Sequence, residues 1–97
     1  MEVMQDIVFP AIDERNRVFA QEGEPIKKAP DALIFGKGGP LDSLGLVNFI
    51  LIVEEKIAEK TGVPVVLADA RAVSLAHSPF RDVSLLTSYI EEILKGP

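Results

Sequence analysis

The chain has 97 residues, of which 47% are hydrophobic and 26% charged, a balance typical of one soluble globular domain. Fifteen acidic and ten basic side chains give a formal charge of −5, which would repel a phosphate backbone, so we expect no nucleic-acid binding. With no cysteine and one histidine, disulfides and thiol catalysis are excluded and a zinc site lacks its usual ligands. The longest apolar stretches are far below membrane-spanning length, and the first residues lack a basic flank and a cleavage site, so we expect a cytoplasmic protein with no membrane partner.

Apolar residues recur at helical spacing from Val3 to Ala20, and Arg15 is the one polar interruption of that pattern. The spacing predicts a first helix, although Pro10 lies inside it. Either Asp6 caps a helix that holds Pro10 in its first turn, or a longer helix kinks at the proline. We expect a helix with a disturbed first turn.

The next segment, Gln21 to Pro40, is rich in glycine and proline, which predicts a long irregular connection. A loop of this length is uncommon in a small domain and indicates either function or disorder. The apolar run Leu33-Ile34-Phe35 argues against disorder, because it would anchor the connection to the core.

The strongest helix signal runs from Leu44 to Lys60, with Asp42 and Ser43 as candidate N-caps and Gly62 as the C-terminal stop. One apolar stripe has the spacing of a core face: Leu46, Phe49, Ile50, Val53 and Ile57. A second stripe lies elsewhere on the helix surface: Leu44, Val47 and Leu51. It either stays accessible as a contact surface or packs under the loops, and Glu54, Glu55 and Glu59 would border it with negative charge.

The remainder predicts an irregular region from Val63 to Pro79, with a weak helical turn at Ala68 to Leu75, and then a final helix from Ser84. Ser84 or Asp82 would cap that helix, and Gly96-Pro97 would end it. His77 is expected to be a solvated loop residue rather than a catalytic base. We therefore expect an all-α bundle with two long connections.

A glycine-rich loop, then Asp42-Ser43, then a helix places one hydroxyl at a helix N-terminus, where unpaired amides and the helix dipole favour an anion. A phosphate ester on Ser43 would be electrostatically favoured there, and Asp42 would be placed to bind a metal ion or orient an incoming group. Taken alone, however, Asp-Ser before a helix is more often a simple cap.

The segment Gly39-Pro40-Leu41-Asp42-Ser43-Leu44, followed by Leu46, Val47, Ile50 and Glu54-Glu55, resembles the phosphopantetheine attachment motif of acyl and peptidyl carrier proteins. The resemblance extends to the order of the helices and to the closing segment from Phe80 to Ile90. It implies a single carrier domain over residues 1–97. Its expected fold is a four-helix bundle with a long connection between helices I and II, and Ser78 to Val83 would supply the short third helix.

The resemblance also implies the function. Ser43 would receive 4′-phosphopantetheine from coenzyme A through a phosphopantetheinyl transferase, and the arm would carry acyl or aminoacyl groups as thioesters. A loading ligase and downstream synthases would be the other partners of a free-standing, monomeric, non-catalytic protein. Leu44, Val47 and Leu51 match positions that touch partner enzymes in such carriers, and Glu54 and Glu55 match acidic docking positions.

Two departures from the family pattern favour a dedicated pathway over general fatty-acid synthesis. Gly45 and Asn48 occupy positions that are commonly acidic in fatty-acid carriers, and the segment from Val63 to Pro79 is longer than the usual connection. The main alternative is an unmodified helical interaction module that uses the same apolar stripe and keeps Ser43 only as a cap. An enzyme is the weakest alternative, because the sequence offers no convincing acid–base pair, nucleophile–base pair or metal cluster.

Overall fold

The computed structural model describes residues 2–19, 21, 23–36, 38–67 and 79–95. A π-helical turn at Met4–Val8 continues directly into helix α1 (Phe9–Val18), and helices α2 (Ser43–Thr61) and α3 (Val83–Lys95) follow. All the regular secondary structure in these described ranges is helical, apart from two isolated β-bridges. The predicted helical class is therefore confirmed for the described part of the chain.

The first helix opens with a π-helical turn just ahead of Pro10. Proline has no backbone N–H and cannot make the α-helical bond to the residue four positions earlier. The preceding turn is wider: the Phe9 amide donates to the Met4 carbonyl, and Pro10 lies at the start of α1. The predicted disturbed first turn is thus present. Asp6 does not cap α1, however, since its carboxylate accepts the Glu2 amide at 2.8 Å.

The apolar anchor in the connection to α2 lies against the segment that leads into α3. The Ile34 amide donates to the Arg81 carbonyl at 2.8 Å, beside an antiparallel bridge between Leu33 and Asp82. Ile34 and Phe35 are buried, whereas Leu33 is partly exposed. The predicted anchoring is confirmed for two of the three residues, and it joins the approach to α2 to the approach to α3.

Gly39 lies where the chain turns back towards α2, and no larger residue fits there without a shift of the backbone. The Leu41 amide donates to the Ile34 carbonyl at 3.0 Å, which brings two backbone segments together. A Cβ atom on Gly39 would lie 2.9 Å from the carbonyl carbon and oxygen of Ile34. The glycine therefore lets the anchor fix the position at which α2 begins.

Helix α2 has the predicted caps at both ends. The Asp42 carboxylate accepts the Gly45 amide at 2.7 Å. At the other end Gly62 adopts the left-handed conformation with φ of 73°, and its amide donates to the Ala58 carbonyl at 2.9 Å. The predicted core stripe is buried throughout: Leu46, Phe49, Ile50, Val53 and Ile57.

Helix α3 is capped by one of its two predicted residues. The Asp82 carboxylate accepts the Leu85 amide at 2.8 Å. Ser84, the other candidate, instead donates its hydroxyl to the Pro30 carbonyl at 2.6 Å, which ties α3 to the connection before α2. Short polar side chains at a helix start can serve either purpose, so the sequence alone could not choose between them.

The expected short third helix at Ser78 to Val83 is not found in the described part of that segment. Residues 79–82 form a turn and a bend, because the backbone of Asp82 pairs with Leu33, and Val83 already belongs to α3. Ser78 and His77 lie outside the described residues, as do the expected turn at 68–75 and the closing residues 96–97.

The core lies where the π-helical turn meets α2 and α3 and where α1 packs along α2. Phe80 is fully buried, and its ring meets the Tyr89 ring edge to face with centroids 5.9 Å apart. This arrangement covers one side of α2 and leaves its first turn and its opposite side at the surface.

Candidate attachment site and docking face

Ser43 is the first residue of α2, and its side chain is exposed. Asp42 provides the cap, so the two acceptor residues that the sequence places there have different roles. Within the part of the chain that the structure describes, the Ser43 hydroxyl has no hydrogen-bond partner. Ser43 is thus an accessible hydroxyl that the helix does not need for its own capping.

In the described part of the chain, the first turn of α2 has two free backbone amides beside Ser43. The Gly45 amide is taken by the Asp42 side chain and the Leu46 amide by the Asp42 carbonyl at 2.9 Å. The amides of Ser43 and Leu44 have no partner among the described residues. Free amides and the positive end of the helix dipole favour an anion at this position.

The second apolar stripe of α2 is exposed, with 72% of Leu44, 43% of Val47 and 56% of Leu51 accessible to solvent. We call these three residues the docking face. Among the described residues, these side chains therefore do not pack under the loops. Large apolar side chains grouped on one side of a helix, starting beside an exposed hydroxyl, are typical of a contact surface.

The three glutamates expected at the border of the docking face have different environments. Glu55 is exposed. Glu54 is half-buried, and its carboxylate accepts the Leu67 amide at 2.7 Å, so it holds the segment that follows α2. Glu59 lies 3.7 Å from the ammonium group of Lys56. Glu55 is consequently the member of this group that is most available to a basic partner.

An ion pair joins α2 to α1 on another side of the helix. The Lys56 ammonium lies 2.8 Å from a carboxylate oxygen of Glu14 in α1. The hydrogen bond to Glu14 raises the pKa of Lys56 above its ordinary value, the negative charges of Glu14, Glu59 and Glu55 act in the same direction, and desolvation opposes them. The pair keeps α2 oriented against α1, away from the docking face.

Sequence reasoning missed a buried cation close to the start of α2. Arg15 is only 4% exposed, and its Nη1 donates to the Glu24 carbonyl at 2.9 Å and to the Asn16 side chain at 3.3 Å. Beside it a pocket of about 140 Å³ opens between the end of α1 and the first turns of α2. In the sequence Arg15 is visible as the one polar interruption of an apolar stripe. Helical spacing alone, however, does not show which residues surround its side chain.

The comparisons with known proteins add no support to the resemblance to carriers, which therefore depends on the motif residues alone. No family model, no curated protein and no solved structure matches the chain. Among the described residues, no helix combines the length and the hydropathy that crossing a membrane requires. Nor do His, Asp and Glu side chains come together there in a group that could hold a metal ion.

Proposed function

We propose that the protein is a carrier that bears 4′-phosphopantetheine on Ser43 and delivers thioester-bound acyl or aminoacyl groups to partner enzymes. The observation that carries the proposal is the exposed Ser43 hydroxyl, which the capping of α2 leaves unused at the positive end of the helix. An apolar face begins at the next residue, so one surface combines an attachment point with a place to dock.

The residues present fit such a group. The Ser43 oxygen would form the bond to the phosphorus of the arm, while a transferase base takes its proton and adenosine 3′,5′-bisphosphate leaves. The free amides of Ser43 and Leu44 would stabilise the phosphodiester charge. Asp42 fixes the first turn through the Gly45 amide and adds a carboxylate beside the hydroxyl, where a magnesium ion of the transferase reaction could bind.

Once attached, the arm supplies the thiol that this cysteine-free chain lacks, and the thiol holds the cargo as a thioester. The chain's own part is to present and orient Ser43. We propose that the chemistry on the cargo belongs to the partner enzymes.

The docking face would meet the transferase, a loading ligase and the downstream synthases in turn. Leu44, Val47 and Leu51 offer apolar contact, and Glu55 offers a charge for a basic residue at the rim of the partner. Glu54 would contribute less than the resemblance implies, because its carboxylate already accepts the Leu67 amide. The four-helix form of the bundle, with a long connection after the first helix, belongs to the same proposal, although residues 79–82 form a turn and a bend where the short helix was expected at Ser78 to Val83.

The test is intact mass spectrometry after incubation with coenzyme A, magnesium and a broad-specificity phosphopantetheinyl transferase. We expect the wild type to gain one phosphopantetheinyl group and Ser43→Ala to gain none. Ser88→Ala, at an exposed serine of α3, is the matched control and should be modified like the wild type. A folded wild type that several transferases leave unmodified would contradict the proposal.

A second candidate is an unmodified interaction module, which the exposure of the docking face supports on its own. In that case Ser43→Ala would leave partner binding unchanged, whereas a charged residue at Leu51 would abolish it. The mass-spectrometry experiment separates the two functions, because only the carrier gains mass.

A further inference from the structure

Arg15 is a buried charge without a described anionic partner. The ion pairs found among the described residues all involve lysine, and the hydrogen bonds of Arg15 use Nη1 alone, towards a carbonyl and an amide oxygen. Its Nε and Nη2 donors therefore have no partner in the described part of the chain. Neither donor is sealed from solvent, and Arg15 lines a pocket, so a negatively charged ligand in that pocket could pair with the free side of the guanidinium.

The pocket beside Arg15 has the composition of a site for a carboxylate on a short carbon chain. Apolar walls come from Phe19, Leu41 and Leu44, and the Asn48 side chain adds an amide that can donate a hydrogen bond. The planar fork of a guanidinium pairs with both oxygens of a carboxylate. Asp42 also lines the pocket, and its negative charge would disfavour a doubly charged ligand such as phosphate more than a single carboxylate.

The pocket also borders the candidate attachment site. Ser43 does not line it, but its neighbours Asp42 and Leu44 do, and Leu44 belongs to the docking face as well. From Ser43 to Asn48 the helix rises only about 7.5 Å. An arm attached to Ser43 is long enough to fold back over this first turn and bring the end of its cargo to the pocket.

We propose, on the basis of the carrier function above, that the Arg15 pocket binds the free carboxylate of a dicarboxylic cargo held as its half-thioester. Arg15 supplies the counter-charge, Asn48 a further donor, and the apolar walls cover the carbons behind the carboxylate. This assignment gives a purpose to Gly45 and Asn48, because acidic side chains at those positions would repel such a cargo.

The test loads the protein with two four-carbon cargoes that differ in the carboxylate. A broad-specificity transferase transfers the arm from succinyl-coenzyme A or from butyryl-coenzyme A to Ser43. The readout is the Arg15 side-chain Nε–H resonance in ¹H–¹⁵N spectra, together with the backbone amides of Gly45 and Asn48. We expect these signals to differ between the succinyl and butyryl forms, and Arg15→Lys to abolish the difference at the two backbone amides.

Because Arg15 also ties down the loop at Glu24, a second variant leaves the arginine in place. Asn48→Asp adds a negative charge to the pocket wall and should weaken the succinyl-dependent state roughly tenfold or more, whereas Asn48→Ser should have a smaller effect. Titration of the unmodified protein with acetate, followed by the Arg15 Nε–H signal, tests whether the pocket binds a carboxylate without any arm. Chloride at equal ionic strength is the control.

The outcomes separate the two proposals. Identical spectra for succinyl and butyryl forms, with or without an acetate response, would overturn the assignment of the cargo. If acetate alone shifts Arg15, the pocket takes a free carboxylate rather than the cargo. If the transferase fails to modify Ser43, the carrier function fails first, and a flat acetate titration would then reject the pocket independently.

Discussion

The two apolar sides of α2 are built from the same kinds of residue and have opposite fates. On one side Phe49 and Ile50 are buried, and on the other Leu44 and Leu51 remain largely in solvent. Helical spacing defines both stripes equally well, so the difference comes from what the rest of the chain packs against them. Burial on the first side stabilises the fold, while exposure on the second has no benefit for folding and therefore indicates a contact surface.

The largest expected effect contrasts one residue from each side. Phe49→Ala should lower the free energy of unfolding by about 3–5 kcal/mol, because a fully buried ring would leave a cavity. Leu51→Ala should change it by no more than about 0.5 kcal/mol, since its side chain is already mostly solvated. Urea unfolding followed by circular dichroism measures both. Equal losses would show that the docking face packs against part of the chain and is not free.

The next effect should appear in binding and not in stability. Leu51→Glu places a charge in the middle of the docking face, and we expect kcat/KM for transferase modification of Ser43 to fall about tenfold or more. Ser88→Glu, at an exposed position of α3, adds the same charge elsewhere and should react like the wild type. If both variants are slowed equally, net charge rather than the docking face controls recognition.

The comparison also shows what the sequence can and cannot predict. Caps and periodicity are local, so the bounds of α2 and its buried stripe were predictable, and the cap of α3 was narrowed to Asp82 or Ser84. The use of Asp82 in a bridge with Leu33 was not predictable, because it depends on residues distant along the chain, and this pairing lies within the segment from Ser78 to Val83 where a short helix was expected. The environment of Arg15 was hidden for the same reason, although its position in an apolar stripe was visible.

The start of α2 gives a smaller and sharper contrast. Asp42→Ala removes the side chain that accepts the Gly45 amide, and should cost about 1 kcal/mol of stability. Ser43→Ala should stay within about 0.5 kcal/mol, because no described hydrogen bond of the helix depends on its hydroxyl. Thermal unfolding of the two variants measures this difference. If Ser43→Ala lowers stability as much as Asp42→Ala does, the serine also caps the helix, and the case for an attachment site is weaker.

The smallest effect concerns the side of α2 that faces α1 and should depend on pH. Since the hydrogen bond to Glu14 raises the pKa of Lys56 in the folded protein, the pair stabilises the fold fully below the ordinary lysine value of 10.5. That contribution, about 0.5 kcal/mol, should disappear as pH rises through the higher folded pKa, because the lysine then loses its charge in both states.

The measurement is the difference in unfolding free energy between the wild type and Lys56→Gln from pH 8 to about pH 11.5. Taking the difference cancels the titration of the ionisable groups that both proteins share. We expect the wild-type advantage to shrink at the alkaline end, and in a Glu14→Gln background the Lys56→Gln change should cost less stability and depend less on pH. A difference that stays constant with pH would mean that Lys56 stabilises α2 through the packing of its methylene chain rather than through its charge. The contact between α1 and α2 would then be apolar, like the buried side of α2.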